Sequence, residues 1–130
     1  MKIQIERGAS YRVQAYQTDC VTVARGEQLQ TLTGPALLQP DTAPLDWAVT
    51  SDTPPLAAFE ALLEHAPELV LYGSGARLRF PDAAVMRMFH ARGVGFEAMD
   101  TFAACRTYNV LALEGRRVLA ALLIGPPDRR

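Results

Sequence analysis

The sequence is poor in the residues that build metal sites and disulfide scaffolds. It has two cysteines and two histidines in 130 residues. Cys20 and Cys105 form no CxxC pair, and no Cys/His spacing suits zinc. We therefore expect no metal site, no cofactor and no disulfide framework. Two reduced cysteines are typical of a cytoplasmic protein.

Clusters of one charge and long apolar runs are also missing. Lys and Arg number 13 against 14 Asp and Glu, a net charge of −1, and neither sign forms a run that would follow a phosphate backbone. This argues against a nucleic-acid partner. The longest apolar run, residues 118–125, has the length of a strand, whereas a membrane span needs about 20 residues. The first ten residues, MKIQIERGAS, contain no apolar signal core. We expect a soluble cytoplasmic protein.

The pattern of apolar residues predicts one domain over residues 1–130 with two different halves. The first half alternates apolar and polar residues with a period of two and predicts short antiparallel strands. The second half alternates helical and strand patterns, which is typical of an α/β sheet. The predicted parts are a β-rich part (1–39), a Pro-rich connector (40–55), an alternating α/β part (56–124) and a frayed tail (125–130).

Helix boundaries follow from capping residues. Thr53, followed by Pro54, predicts the start of a first helix. Phe80-Pro81-Asp82 predicts the start of a second, with an acid in its first turn where the helix dipole favours it. Thr101 is predicted to cap the third helix, which ends at Gly115. Trp47, within the connector, is predicted to pack on the core. The fold class is therefore α/β, with a mixed central sheet, covering helices and an additional N-terminal antiparallel β layer.

Two motifs carry a family resemblance. They are ELVLYGSGARLRF at residues 68–80 and MDTFAACRTYNVLALEGRRVLAALL at residues 99–123. With them, the chain resembles the family of unknown-function domains that includes the mitochondrial respiratory complex I assembly factor 3 and the adipogenesis-associated domain protein. The resemblance implies a mixed sheet with helices and an extra β layer, and no catalytic residues. Few residues precede Tyr11, so we expect a bacterial-type member without a mitochondrial presequence.

The candidate site lies beyond two predicted strand ends. In open α/β sheets, ligands bind beyond the carboxyl ends of the strands, and a helix N-terminus favours an anion. One strand runs into the glycine loop and the next into the third helix. If these strands are parallel, their loops form a small polar or anionic crevice. Its predicted residues are Gly73, Ser74, Gly75, Arg77, Asp100, Thr101 and Arg106.

Structural roles explain the same residues equally well. In this interpretation the glycines supply turn conformations only, Thr101 a cap, Asp100 an acceptor for local N–H groups, and the arginines solvated or paired charges. Asn109, an unfavourable residue in mid-helix, is predicted to bond a neighbouring loop. Tyr72 and Ala76 flank Ser74 where a nucleophile elbow needs glycines, so no catalytic residue is assigned.

These observations favour a non-enzymatic module that binds another protein and is related to respiratory complex I assembly factors. The alternative is a protein that binds a small molecule or an anion, or a weak enzyme, through the Gly73–Gly75 loop and the Thr101 helix N-terminus. A homo-oligomer that pairs exposed edges of the β-rich first part is compatible with both.

Overall fold

The computed structural model describes residues 10–126 and contains two β-sheets and three α-helices. The predicted tail lies largely outside these residues, at 127–130. The first sheet is an antiparallel meander in the order β1-β2-β3. Its strands are β1 (Arg12–Gln17), β2 (Cys20–Arg25) and β3 (Gln28–Leu32). This sheet is the predicted N-terminal β layer.

The second sheet has five strands in the order β5-β4-β8-β6-β7 and mixes parallel with antiparallel pairing. Its strands are β4 (Ala36–Gln39), β5 (Thr42–Asp46), β6 (Leu69–Gly73), β7 (Gly95–Met99) and β8 (Val118–Leu122). The three C-terminal strands are parallel, whereas β4 runs antiparallel to β8. The predicted fold class, a mixed central sheet with helices and an extra β layer, is confirmed.

Helices cover both faces of the central sheet. They are α1 (Leu56–Glu60), which continues as a 3-10 helix (Ala61–His65), α2 (Ala83–Ala91) and α3 (Thr101–Leu113). One core lies between α3, the three-stranded sheet and one face of the central sheet. The other core joins α1, α2 and Trp47 to the opposite face. The layers are therefore small sheet, α3, central sheet, and then α1 with α2.

Two side chains of the middle turns of helix α3 bond the backbone of β1 and of the residue before it. The Asn109 amide accepts from the Val13 N–H (2.9 Å) and donates to the Val13 carbonyl (2.8 Å). The hydroxyl of Tyr108 donates to the Tyr11 carbonyl at 2.7 Å. Asn109 therefore bonds a strand rather than the predicted loop. These bonds offset its low helix propensity.

The Pro-rich stretch 40–55 differs from the prediction because it contains strand β5. Pro44 lies in that strand, which is tolerated since β5 is at the edge of its sheet and a proline there removes no ladder bond. The prediction that Thr53 opens the first helix is wrong. The N-cap residue is Pro55, and no side chain caps this short helix. Trp47 is buried, as expected.

No helix within residues 10–126 combines the length and apolar character that a membrane crossing requires.

Candidate functional site

A cleft of about 400 Å³ opens at the carboxyl ends of β6 and β8. Four segments form its walls: the turn between β1 and β2, the loop after β6, the first turn of α3, and the chain after β8. Asp52 from the Pro-rich stretch also borders it. The lining residues are Gln17, Thr18, Asp19, Val21, Asp52, Ser74, Gly75, Ala76, Arg77, Arg79, Thr101, Phe102, Leu123, Ile124, Gly125 and Pro126.

Thr101 joins the segments that meet in the cleft. Its Oγ1 accepts from the Gly75 N–H at 2.9 Å and donates to the Leu123 carbonyl at 2.8 Å. Its own N–H donates to the Gly75 carbonyl at 2.9 Å. Thr101 is buried, with 5% of its surface exposed. The hydroxyl therefore holds α3, the loop after β6 and the end of β8 together.

The predicted capping role of Thr101 is wrong, because its neighbour caps the helix. Asp100 is the N-cap residue, and its Oδ1 accepts from the Ala103 N–H at 2.9 Å. Both residue types cap helices well. Asp100 thus has the local role that the sequence left open for it, and it does not line the cleft.

Gly73 lets the start of α3 approach the end of β6. A Cβ built on Gly73 would lie 2.9 Å from Leu122 Cδ2 and 3.1 Å from both Cα and Oγ1 of Thr101. The carbonyl of Gly73 also accepts from the Leu123 N–H at 2.9 Å. Gly73 therefore allows β6 and α3 to pack closely beside the cleft, but it does not line the cleft.

Ser74 holds the loop after β6 in shape. Its Oγ lies 2.7 Å from the Arg77 carbonyl and 3.2 Å from the Met99 carbonyl, and it accepts from the Arg79 N–H at 2.9 Å. A hydroxyl has one proton to donate, so the shorter contact is the better donor bond. Ser74 is only 2% exposed, and the loop occupies its hydrogen-bonding capacity.

The predicted arginines separate into two groups. Arg77 lines the cleft, as does Arg79, which was outside the predicted set. Arg106 does not line it and instead donates from Nη1 to the Tyr16 hydroxyl at 2.9 Å. Of the seven predicted site residues, the cleft brings together Ser74, Gly75, Arg77 and Thr101. Gly73, Asp100 and Arg106 lie outside its lining.

Sequence reasoning missed two walls of the cleft. The segment after β8, residues 123–126, follows the carboxyl end of a third parallel strand, so the strand-end rule that found the other loops would also have found it. The turn between β1 and β2, residues 17–19, belongs to the other sheet. No local signal in the sequence indicates that this turn reaches the cleft.

Burial suppresses the reactivity of the groups near the core. It raises the pKa of the Cys105 thiol to about 12 and that of the Tyr72 hydroxyl also to about 12. Cys105 therefore stays protonated at neutral pH, where a thiol nucleophile must ionise. Within residues 10–126, no three His, Cys, Asp or Glu side chains converge as a metal site would require.

We expect thiol reagents to distinguish the two cysteines. Cys105 is buried and protonated well above neutral pH, whereas Cys20 is half-buried in the small sheet. At pH 8 the native protein should react at Cys20 alone, and both thiols should react after unfolding in denaturant. Mass spectrometry after iodoacetamide treatment measures this directly. Rapid native labelling of Cys105 would contradict its assigned burial.

Comparison with known proteins identifies the family. A family model described as a protein of unknown function (DUF498/DUF598) matches residues 13–123. The chain belongs to this family. It is also 39% identical over 101 residues to the NADH dehydrogenase (ubiquinone) 1 alpha subcomplex assembly factor 3 of Danio rerio, a match covering 75% of this chain and 56% of that protein. The chain thus spans about half the length of the assembly factors it matches. The resemblance read from the motifs is confirmed.

Solved structures share the fold of this DUF498/DUF598 member. A crystal structure from Bordetella parapertussis is 34% identical, with a TM-score of 0.77, and the match covers 89% of this chain and 97% of that one. An NMR structure from Xanthomonas campestris is 38% identical, with a TM-score of 0.75, covering 89% and 86%. The mixed α/β architecture is therefore common to these family members.

Proposed function

We propose that this protein is a non-enzymatic, protein-binding module of the assembly-factor type. Its partner docks on the loop after β6 and on the cleft that this loop borders. The observation that carries the proposal is an exposed apolar pair on that loop. Phe80 is 71% exposed and Leu78 is 50% exposed. The two residues are separated in sequence by Arg79 alone, and exposed apolar surface is a mark of protein contact sites.

The loop presents these side chains in a defined conformation. Ser74 bonds the Arg77 carbonyl and the Arg79 N–H, and so fixes the backbone on both sides of Leu78. A loop that is already ordered loses less conformational entropy when a partner binds. Arg77 and Arg79 border the cleft. Aromatic and arginine side chains dominate the energy of protein interfaces.

The chemistry of the cleft favours binding over catalysis. The Ser74 hydroxyl is hydrogen-bonded within the loop, and the Thr101 hydroxyl is hydrogen-bonded to Gly75 and Leu123. Each hydroxyl therefore has a structural role. Cys105 lies in the core outside the lining of the cleft, and burial raises its pKa, so it supplies no thiolate nucleophile there. The relatives are named as assembly factors of NADH dehydrogenase, a name that describes action on another protein. This kinship supports a protein partner over a substrate.

We expect Phe80→Ala to weaken partner binding without affecting stability. Loss of a central aromatic contact at an interface weakens binding by about tenfold or more. A side chain this exposed contributes little to folding, so the free energy of unfolding should change by less than about 0.5 kcal/mol. The measurement is affinity capture from extracts of the source cells, with respiratory complex subunits quantified among the captured proteins.

Leu113→Ala is the matched control for this experiment. Leu113 is 90% exposed at the far end of α3, so its truncation removes a similar apolar surface remote from the loop. The control should capture partners as the wild type does. Equal capture by all three proteins, or capture of no respiratory subunit by any of them, would reject the proposed partner or its docking surface.

A small-molecule ligand is the second candidate, and the size of the cleft favours it. Its volume of about 400 Å³ falls within the range of ligand sites. Ser74, Gly75 and Thr101 would shape the wall of the site, and Arg77 and Arg79 would be available to an anionic group. NMR titration with phosphate and with small carboxylates tests this function. Shifts confined to the amides of the cleft, lost in Arg77→Ala, would support it over the protein partner.

A further inference from the structure

Within the described residues 10–126, the two sheets have four edge strands, and three of them carry features that hinder pairing with another strand. At β1, the Asn109 side chain occupies both the N–H and the carbonyl of Val13, and the pairing with β2 shifts register between Val13 and Ala15. At β5, Pro44 removes an N–H and Asp46 adds a charge. At β7, the exposed side chain is Glu97. Charges, prolines and bulges are the usual protection of an edge.

The fourth edge, β3, lacks all of these features. Its sequence is QLQTL, without a charge or a proline, and its pairing with β2 runs without a register shift from Gln28 to Leu32. Four of its five residues are exposed, and Leu29 is 60% exposed. Among the described elements, β3 makes substantial contact with β2 alone. Among residues 10–126, β3 is therefore an edge strand without charge and without a further strand beside it.

The hairpin geometry fixes which groups of β3 face outward. A two-residue loop, Gly26 and Glu27, joins the strands, so Arg25 and Gln28 form a hydrogen-bonded pair next to the turn. Hydrogen-bonded and non-hydrogen-bonded pairs then alternate along the ladder. Gln28, Gln30 and Leu32 direct their backbone groups toward β2. Leu29 and Thr31 direct theirs away from the sheet.

We propose that β3 is a self-association surface that pairs antiparallel with β3 of a second copy of this chain, with the two-fold axis at Gln30. Leu29 then lies opposite Thr31 of the second copy, and the outward groups of these two residues form four inter-chain hydrogen bonds. The two small sheets join into one six-stranded sheet. This proposal concerns a surface separate from the cleft and does not depend on the proposed function.

The side chains suit this self-pairing. Gln30 lies opposite its own counterpart, where two amides both donate and accept, and the pairing opposes no like charges. Because Gln30 bonds toward β2, the two copies of Gln30 form a non-hydrogen-bonded pair, in which side chains approach most closely. The strand is short, so the dimer is expected to be weak and concentration-dependent.

A charge exchange at Gln30 tests the proposal. Sedimentation velocity should show concentration-dependent dimers of the wild-type chain. Gln30→Lys and Gln30→Glu each place two like charges on the two-fold axis and should weaken dimerisation by about fivefold or more. An equimolar mixture of the two variants pairs lysine with glutamate and should restore dimers at least to the wild-type level, more strongly at low salt than at high salt.

Gln14→Lys is the control, because Gln14 is exposed on β1, the edge that Asn109 occupies. It should dimerise as the wild type does. A wild-type chain that stays monomeric at millimolar concentration would overturn the proposal. So would dimers that the Gln30 variants leave intact, or a mixture of the two charged variants that fails to recover the association lost by each.

Discussion

Thr101→Val is expected to destabilise the protein by about 2–4 kcal/mol, although valine has nearly the shape of threonine. The substitution removes an acceptor from the Gly75 N–H and a donor from the Leu123 carbonyl. Both partners are then left at a buried position without the bond they had. A buried polar group that loses its partner costs about 1–3 kcal/mol. Urea denaturation followed by circular dichroism measures the change.

Two other variants separate this bridging role from helix capping. Thr101→Ser keeps the hydroxyl and should recover most of the stability that valine loses. Asp100→Ala removes the acceptor for the Ala103 N–H and should cost only about 1 kcal/mol, as lost caps usually do. If Thr101→Val were no more harmful than Asp100→Ala, the bridge between Gly75 and Leu123 would contribute little to folding.

Thr101 also illustrates where sequence reasoning reaches its limit. The sequence placed the start of α3 correctly within one residue, because Asp100 and Thr101 are both good capping residues. The prediction assigned the cap to Thr101 instead of Asp100, because either side chain can accept a hydrogen bond from the first turn of the helix. The deciding partner is the Leu123 carbonyl, which is 22 residues away and follows β8. A local pattern carries no information about that contact.

The fold class followed from periodicity, whereas strand pairing did not. The alternation of helices and strands in residues 56–124 was predicted because amphipathic periods of 3.6 and 2 are local properties. Strand β4 was assigned with the N-terminal strands but pairs with β8 in the central sheet. Strand β5 was missed because Pro44 indicated a connector. Both errors concern non-local pairing.

The candidate site was predicted only in part, because its walls also depend on contacts between distant parts of the chain. The rule that ligands bind beyond strand ends located the glycine loop and the start of α3. Arg106 was included in the predicted crevice, but it lies five residues after Thr101, and five residues along a helix turn the side chain by about 140°. That rotation directs Arg106 to Tyr16 on the small sheet instead of the cleft.

Phe59→Ala is expected to have the largest effect on stability, about 3–5 kcal/mol, because a buried phenylalanine is replaced by a cavity. Phe59 has no exposed surface, and its ring lies 5.5 Å from that of Trp47, 5.1 Å from that of Tyr72 and 6.0 Å from that of Phe96. These contacts are edge-to-face, an arrangement that stabilises aromatic pairs beyond the area they bury.

The loss of stability should depend on where the phenylalanine lies in the fold. The short helix α1 has no side-chain cap, so it depends on packing to stay in place. Phe59 is the one buried residue of α1, and Leu62 of the 3-10 helix that continues it packs in the same core, so the aromatic cluster and Leu62 attach this segment to the central sheet. Phe80→Ala makes the same chemical change at an exposed site and should leave the denaturation midpoint almost unchanged. Similar midpoints for the two variants would show that α1 is held by contacts other than this cluster.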